Sequence, residues 1–132
     1  MLVLESDHAT MAARIPAANI KLKRAYEAPS PDDGTRILVD RLWPRGISRE
    51  KAALDRWMKE IAPSTELRKW LHHDPQRWNE FRHRYAEELR QHPDLVAELR
   101  SLAREGTVTL VYAAHDETRN HAIVLRNALL GR

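Results

Sequence analysis

Apolar positions along this chain recur with two periods, and the switches between them lay out a fold. Residues Ile20 to Tyr26 alternate apolar and polar side chains, the period of a strand with one face covered. Pro29-Ser30-Pro31-Asp32-Asp33-Gly34 is a loop by its turn residues. Arg36 to Asp40 predicts a second strand, with Ile37-Leu38-Val39 as its buried run. It ends at Trp43-Pro44-Arg45-Gly46, where proline lacks the N–H a central strand needs. Ser48 predicts a cap for a short helical turn from Arg49. Leu54 to Ile61 fits either a short helix or an edge strand stopped by Pro63, with the balance toward a strand.

Beyond that point the period lengthens to that of helices. Ser64 or Thr65 caps a helix reaching about His72, and Asp74-Pro75 opens another. Trp78, Phe81, Tyr85 and Leu89 fall on one face of it. Pro93 starts a third helix, with Leu95, Leu99 and Leu102 inward, and Gly106 ends it. Thr107 to Ala113 predicts a further strand, and Thr118 to Leu130 a last helix with Ala122, Leu125 and Leu129 inward. Strands alternating with helical blocks predict an α/β domain over 20–132: a small, mostly parallel sheet flanked by helices. Residues 1–19 read as an N-terminal extension whose order the pattern leaves open.

Composition narrows the chemistry. The 132 residues suit one domain. Cysteine is absent, which excludes disulfides, thiolate metal sites and thiol nucleophiles and agrees with a cytoplasmic location. No apolar run has the length of a membrane span, and the N-terminus is a poor secretory signal. Lys and Arg total 22 against 19 Asp and Glu, a net charge of +3. Most charges mix along helical faces, but Lys21, Lys23, Arg24, Arg36, Arg41, Arg45, Arg49 and Lys51 bias the front of the chain toward an anionic partner.

A right-handed crossover from the second strand to the last would put their carboxyl ends on one edge, where ligands bind in open α/β sheets. That edge would carry Asp40, Arg41 and Arg45 from one loop, and residues 114–121, including Asn120 and His121, from the other. Arg41 and Arg45 suit a phosphate or carboxylate clamp; the alternative is that Asp40 and Arg41 pair and fix the loop. Trp43 can stack on a ring or plug the packing. His121 can serve as acid, base or anion donor, or can cap or pack, and Asn120 can orient a ligand or cap. His72, His73, Asp74, His115, Asp116 and His121 invite a metal reading, but they sit on separate elements without a ligand-type spacing, so no metal is expected. Glycine-rich phosphate loops and nucleophile elbows are absent, and no cofactor is implied.

Val39-Asp40-Arg41-Leu42-Trp43-Pro44-Arg45-Gly46 resembles the signature of the YeaO-like proteins, a bacterial branch of domain-of-unknown-function family 488. The resemblance continues through 62–68, 110–114 and 120–125, and covers about residues 20 to 130. It implies an α/β sandwich without an assigned activity. Some members bear a MarR-type regulator label, but this chain shows no winged helix-turn-helix pattern. More distant members have cysteines near the last strand, where Tyr112 and Asn120-His121-Ala122 stand here. The Asp-Arg pair and the histidine carry over onto Asp40, Arg41 and His121. Three functions stay open: binding a small anionic or phosphate-bearing ligand, turning it over with His121 and Asp40, or acting on nucleic acid or another partner as a regulator.

Overall fold

A computed structural model describes residues 14–72 and 74–132. Four strands form one sheet: β1 (Ile20–Arg24), β2 (Thr35–Leu38), β3 (Arg56–Trp57) and β4 (Val108–Tyr112). Their order is β1-β4-β2-β3, and every pairing is parallel. Parallel neighbours need long crossovers, which hold four of the five described helices, the fifth following β4. They are α1 (Arg49–Ala52), α2 (Thr65–Leu71), α3 (Trp78–Arg90), α4 (Pro93–Glu105) and α5 (His121–Leu129). The chain is thus an α/β domain. Among the described residues, no helix is long and apolar enough to cross a membrane.

The caps follow the sequence. Ser48 accepts from Lys51 N, Ser64 from Leu67 N and Asp74 from Gln76 N. Glu88 of α3 reaches back to Ser64, accepting from its N at 2.8 Å and its Oγ at 2.6 Å, and so ties the start of α2 to α3. Residues 54–61 divide into the two-residue edge strand β3 and a short 3₁₀ turn at Lys59–Ile61. The last helix begins three residues later than its apolar pattern suggests. Asn120 is extended and caps Ile123 N, while Asp116 Oδ1 holds Thr118 and Arg119 N–H groups in a tight turn before it.

The two faces of the sheet differ. Ile20, Ile37, Val39, Val108, Leu110 and Tyr112 point into a core completed by Phe81, Tyr85 and Leu89 of α3, Leu99 of α4, and Ala122 and Leu125 of α5. The opposite face is thinner: Leu38, Val111 and Ala25 are covered by Trp43, Ile47, Leu54 and Trp57. This thinner face also carries a buried polar knot. Arg36 Nη1 donates to Asp33 Oδ2 at 2.7 Å, Nη2 to Ala52 O at 2.8 Å, and Nε to Ala53 O at 3.1 Å. Lys23 Nζ adds a second cation to Asp33 at 3.1 Å. Paired and hydrogen-bonded in this way, the buried charges escape the cost of isolation and pin α1 to β2. Of the expected N-terminal extension, residues 1–13 lie outside the described residues. Ile15 packs on the main core, and Asn19 Nδ2 donates to Ala103 O at 2.7 Å.

Two outcomes follow from the turn into β2. Gly34 has φ +62°, and a Cβ there would meet Thr107 O at 2.2 Å. Gly34→Ala should therefore cost about 3 kcal/mol or more in urea unfolding, because strain and backbone overlap act together. Burial pushes the Asp33 carboxyl upward, but the bonds from Ser30, Lys23 and Arg36 outweigh it and hold the group below its ordinary value. A depressed carboxyl adds stability above its unfolded pKa and loses it as pH falls through the folded one. Unfolding midpoints should hold near neutrality and decline below about pH 4, the ordinary aspartate range. In Asp33→Asn that acid slope should be shallower, on a less stable protein.

Candidate functional site

The site sits where β2 and β4 stop. Ile37 pairs with Leu110 and Leu38 with Val111, and Val39 N donates to Val111 O at 3.0 Å. The next rung of a parallel ladder would run from Ala113 N to Val39 O. Two side chains replace it. Ala113 N donates to Asp40 Oδ2 at 3.0 Å, and Val39 O receives His121 Nε2 at 3.0 Å. A carbonyl can only accept, so this nitrogen carries the hydrogen. Asp40 Oδ1 is also 3.0 Å from Nε2 but off the line of the N–H, and among the described residues no other donor reaches that buried oxygen. The Asp40–His121 approach is therefore a close contact beside a hydrogen bond aimed at Val39. Tyr85 lies edge-on to the His121 ring, centroids 6.1 Å apart, and donates to Ile61 O at 2.6 Å. Burial first, then the charges of Glu88 and Asp40, push its hydroxyl well above the usual tyrosine range.

Arg41 follows Asp40 and turns to the opposite wall. Its Nε donates to Pro63 O and its Nη2 to Ala62 O, both at 3.1 Å. Two of the five guanidinium N–H groups are so used, and three remain. The Asp40–Arg41 loop clasp read from the sequence thus takes another form. Each residue binds a different segment rather than its neighbour.

These groups border a cavity of about 420 Å³. Its walls come from the loops after β2 and β4, from residues 62–71, and from the start of α3. Leu71, Trp78, Phe81, Ala62 and Pro63 make it largely apolar, with Leu42 beside them, while Arg41, Arg68 and Arg119 bring three guanidinium groups. Asp40 and Asp116 supply two carboxylates. Asp116 Oδ1 accepts from Thr118 N, Thr118 Oγ1 and Arg119 N, and these bonds hold its carboxyl below the ordinary range.

The sequence-derived candidates divide. Asp40, Arg41, Asn120 and His121 all border the cavity. Asn120 is buried with both side-chain atoms occupied, Oδ1 by Ile123 N and Nδ2 by Asp116 O, so it shapes the loop. Trp43 and Arg45 do not border it. Trp43 packs edge-on to Trp57 across the thinner face and donates to Ile47 O at 2.7 Å. Arg45 is exposed, and its carbonyl accepts from the Tyr26 hydroxyl. Arg68 and Arg119 went unnoticed as candidates. Arg68 lies on the solvent side of a short helix, and Arg119 reads as one loop charge among several. Among the described residues, no three histidines, aspartates or glutamates gather as a metal site. His73 lies outside them. His115 accepts from Arg24 Nη2 at 3.3 Å.

Comparison with known proteins places this geometry in a family. Residues 19–132 match a family model described as "Inactive DUF488-N3 subclade". The E. coli protein YeaO, described as uncharacterised, is 49% identical over 111 residues, covering 84% of this chain and 96% of its own. An uncharacterised protein of Mycobacterium tuberculosis is 48% identical over 113 residues, 86% of this chain and 95% of its own. A Mycobacterium bovis relative gives the same figures, 48% over 113 residues, and is likewise uncharacterised. No solved structure matches significantly. The chain belongs to the YeaO-like branch of the DUF488 family.

Because Asp40 replaces a rung of the ladder, its removal should act on stability. Asp40→Ala strands Ala113 N and removes the charge beside His121, so thermal unfolding should show a loss of about 2 kcal/mol. An unchanged midpoint would mean the carboxylate holds nothing together.

Proposed function

We propose that the cavity binds a small anionic ligand and holds it without turnover. The observation behind this reading is the arrangement of charge. Arg41, Arg68 and Arg119 come from three separate segments to one largely apolar cavity, against two carboxylates already engaged by backbone N–H groups. Among the described residues, the Arg68 and Arg119 side chains have neither a hydrogen bond nor an ion pair. Most other arginines do, including Arg24, Arg36, Arg100 and Arg126. Arg68 and Arg119 are both exposed at the cavity rim, and guanidinium groups free of partners there favour a carboxylate or phosphate.

The arguments for binding alone concern the expected acid–base pair. His121 Nε2 points its hydrogen at Val39 O, and Asp40 is taken up by Ala113 N. Proton exchange with a ligand through that nitrogen would break the contact closing the strand ends. Tyr112, where more distant relatives are expected to carry a thiol, is buried, and burial raises its hydroxyl above the ordinary range. The description of the matching subclade as inactive agrees. A location in the cytoplasm, the compartment of most small phosphorylated metabolites, fits the same reading.

Calorimetry with a panel of nucleotides, small carboxylates and short oligonucleotides tests it. At least one small anion should saturate at one site per chain. Arg68→Ala and Arg119→Ala should each weaken it about ten- to a hundredfold, since a charge-assisted bond contributes about 1.5–3 kcal/mol. Arg45→Ala should leave it unchanged. Binding of oligonucleotides alone, with a steep salt dependence, would move the function to nucleic acid.

A further inference from the structure

We infer that the ligand is a planar aromatic ring bearing an anionic group, with the ring against Trp78 and the acid at Arg68 and Arg119. This rests on the anion-binding reading and adds the rest of the molecule. Trp78 and Phe81 stack with centroids 5.4 Å apart and planes 18° from parallel, and both border the cavity. Phe81 is buried, whereas Trp78 is only partly covered and also borders an adjoining hollow of about 160 Å³ with Asp116 and Arg119. The indole thus stacks on Phe81 and borders both hollows, each of which Arg119 also lines.

The other tryptophans make the contrast. Trp43 and Trp57 donate their indole N–H groups to Ile47 O and Asp40 O, both at 2.7 Å. Trp70 is covered by the guanidinium groups of Arg84 and Arg77, at 4.3 and 5.2 Å from its ring. Among the described residues, Trp78 Nε1 has no hydrogen-bond partner and no cation lies over its ring. With Phe81 stacked on it, the indole still offers the cavity wall a partly exposed ring and a donor without a partner among the described residues. A flat ring gains from stacking there as an aliphatic group of equal size does not, because aromatic pairs prefer offset parallel contact. A cavity of about 420 Å³ falls in the range of small-molecule sites, so a ring and its acid fit together. The acid could be a phosphate or a carboxylate, and the experiment separates them.

Calorimetry compares phenyl phosphate with cyclohexyl phosphate and inorganic phosphate, and benzoate with cyclohexanecarboxylate. The aromatic member of at least one pair should bind about tenfold more tightly than its saturated match, the effect of one stacking contact. The pair showing the larger ratio identifies the anionic end. Trp78→Leu should erase the preference while keeping the affinity for the saturated anion. Trp78→Phe, which keeps a ring, should retain most of it and serves if the leucine variant does not fold. Trp70→Leu should not alter the ratio. Equal binding of the flat and saturated members in both pairs, or a preference that survives Trp78→Leu, overturns the aromatic assignment and leaves anion binding standing. Absence of binding by every probe overturns both.

Discussion

The parallel pairing of β2 with β4 is the constraint from which the site follows. It puts the carboxyl ends of two strands side by side, and it must stop somewhere. Where it stops, one N–H and one C=O would be left without partners in a half-buried place, at a cost of about 1–3 kcal/mol each. Asp40 takes the first and His121 the second. This closing arrangement joins the end of β2, the end of β4 and the first residue of α5. The direction of Arg41 follows, because its neighbour is fixed and its guanidinium meets the carbonyls of Ala62 and Pro63. Those carbonyls in turn belong to the segment that leads through Ser64 into α2 and Arg68.

The buried knot on the other face has a different effect. Arg36 and Thr109 occupy sheet positions where the periodicity would favour apolar side chains, and both reach toward the 30–34 turn, Arg36 to Asp33 Oδ2 and Thr109 Oγ1 to Asp33 O at 2.7 Å. Asp33 is thereby bound through side chain and backbone to two adjacent strands. Exchanging such a network for apolar residues need not reduce stability, so its value is better sought in register. A one-residue slip of β2 would turn Arg36 into the apolar core beside Phe81 and Tyr85, and leave Asp33 without its partner.

Periodicity and caps were enough to read the architecture. Strands β1, β2 and β4, the inward faces of α3 and α5, and the caps at Ser48, Ser64 and Asp74 all stand where the pattern predicts. The start of α5 was less legible, because Thr118 and Asn120 are both competent caps and only the turn at Asp116 decides between them. The site was legible at its edge but not in its membership. Asp40, Arg41, Asn120 and His121 follow apolar strands or open a helix, and that local fact is written in the sequence. Arg45, four residues further along, points elsewhere because Trp43 is drawn under the opposite face by Trp57 and Ile47 O. No local pattern carries that information. Arg68 and Trp78 join the cavity through the packing of α2 and α3 against the sheet edge, which depends on contacts far apart in sequence, whereas Arg119 lies in the 114–121 loop already placed on that edge.

The residues most suggestive of chemistry in the sequence are those most engaged in the fold. A carboxylate beside a histidine reads as an acid–base pair, yet here each partner closes a backbone vacancy. A general base must be within hydrogen-bond reach of its substrate proton and able to accept it. Nε2, bearing a hydrogen held by Val39 O, has no free lone pair with which to accept one. The groups left over are of another kind: guanidinium groups, a partly exposed indole and an apolar floor. Guanidinium groups stay protonated at neutral pH. At this edge of the sheet Asp40 and His121 close the ladder, and the cavity wall beside them is left to arginines and apolar side chains.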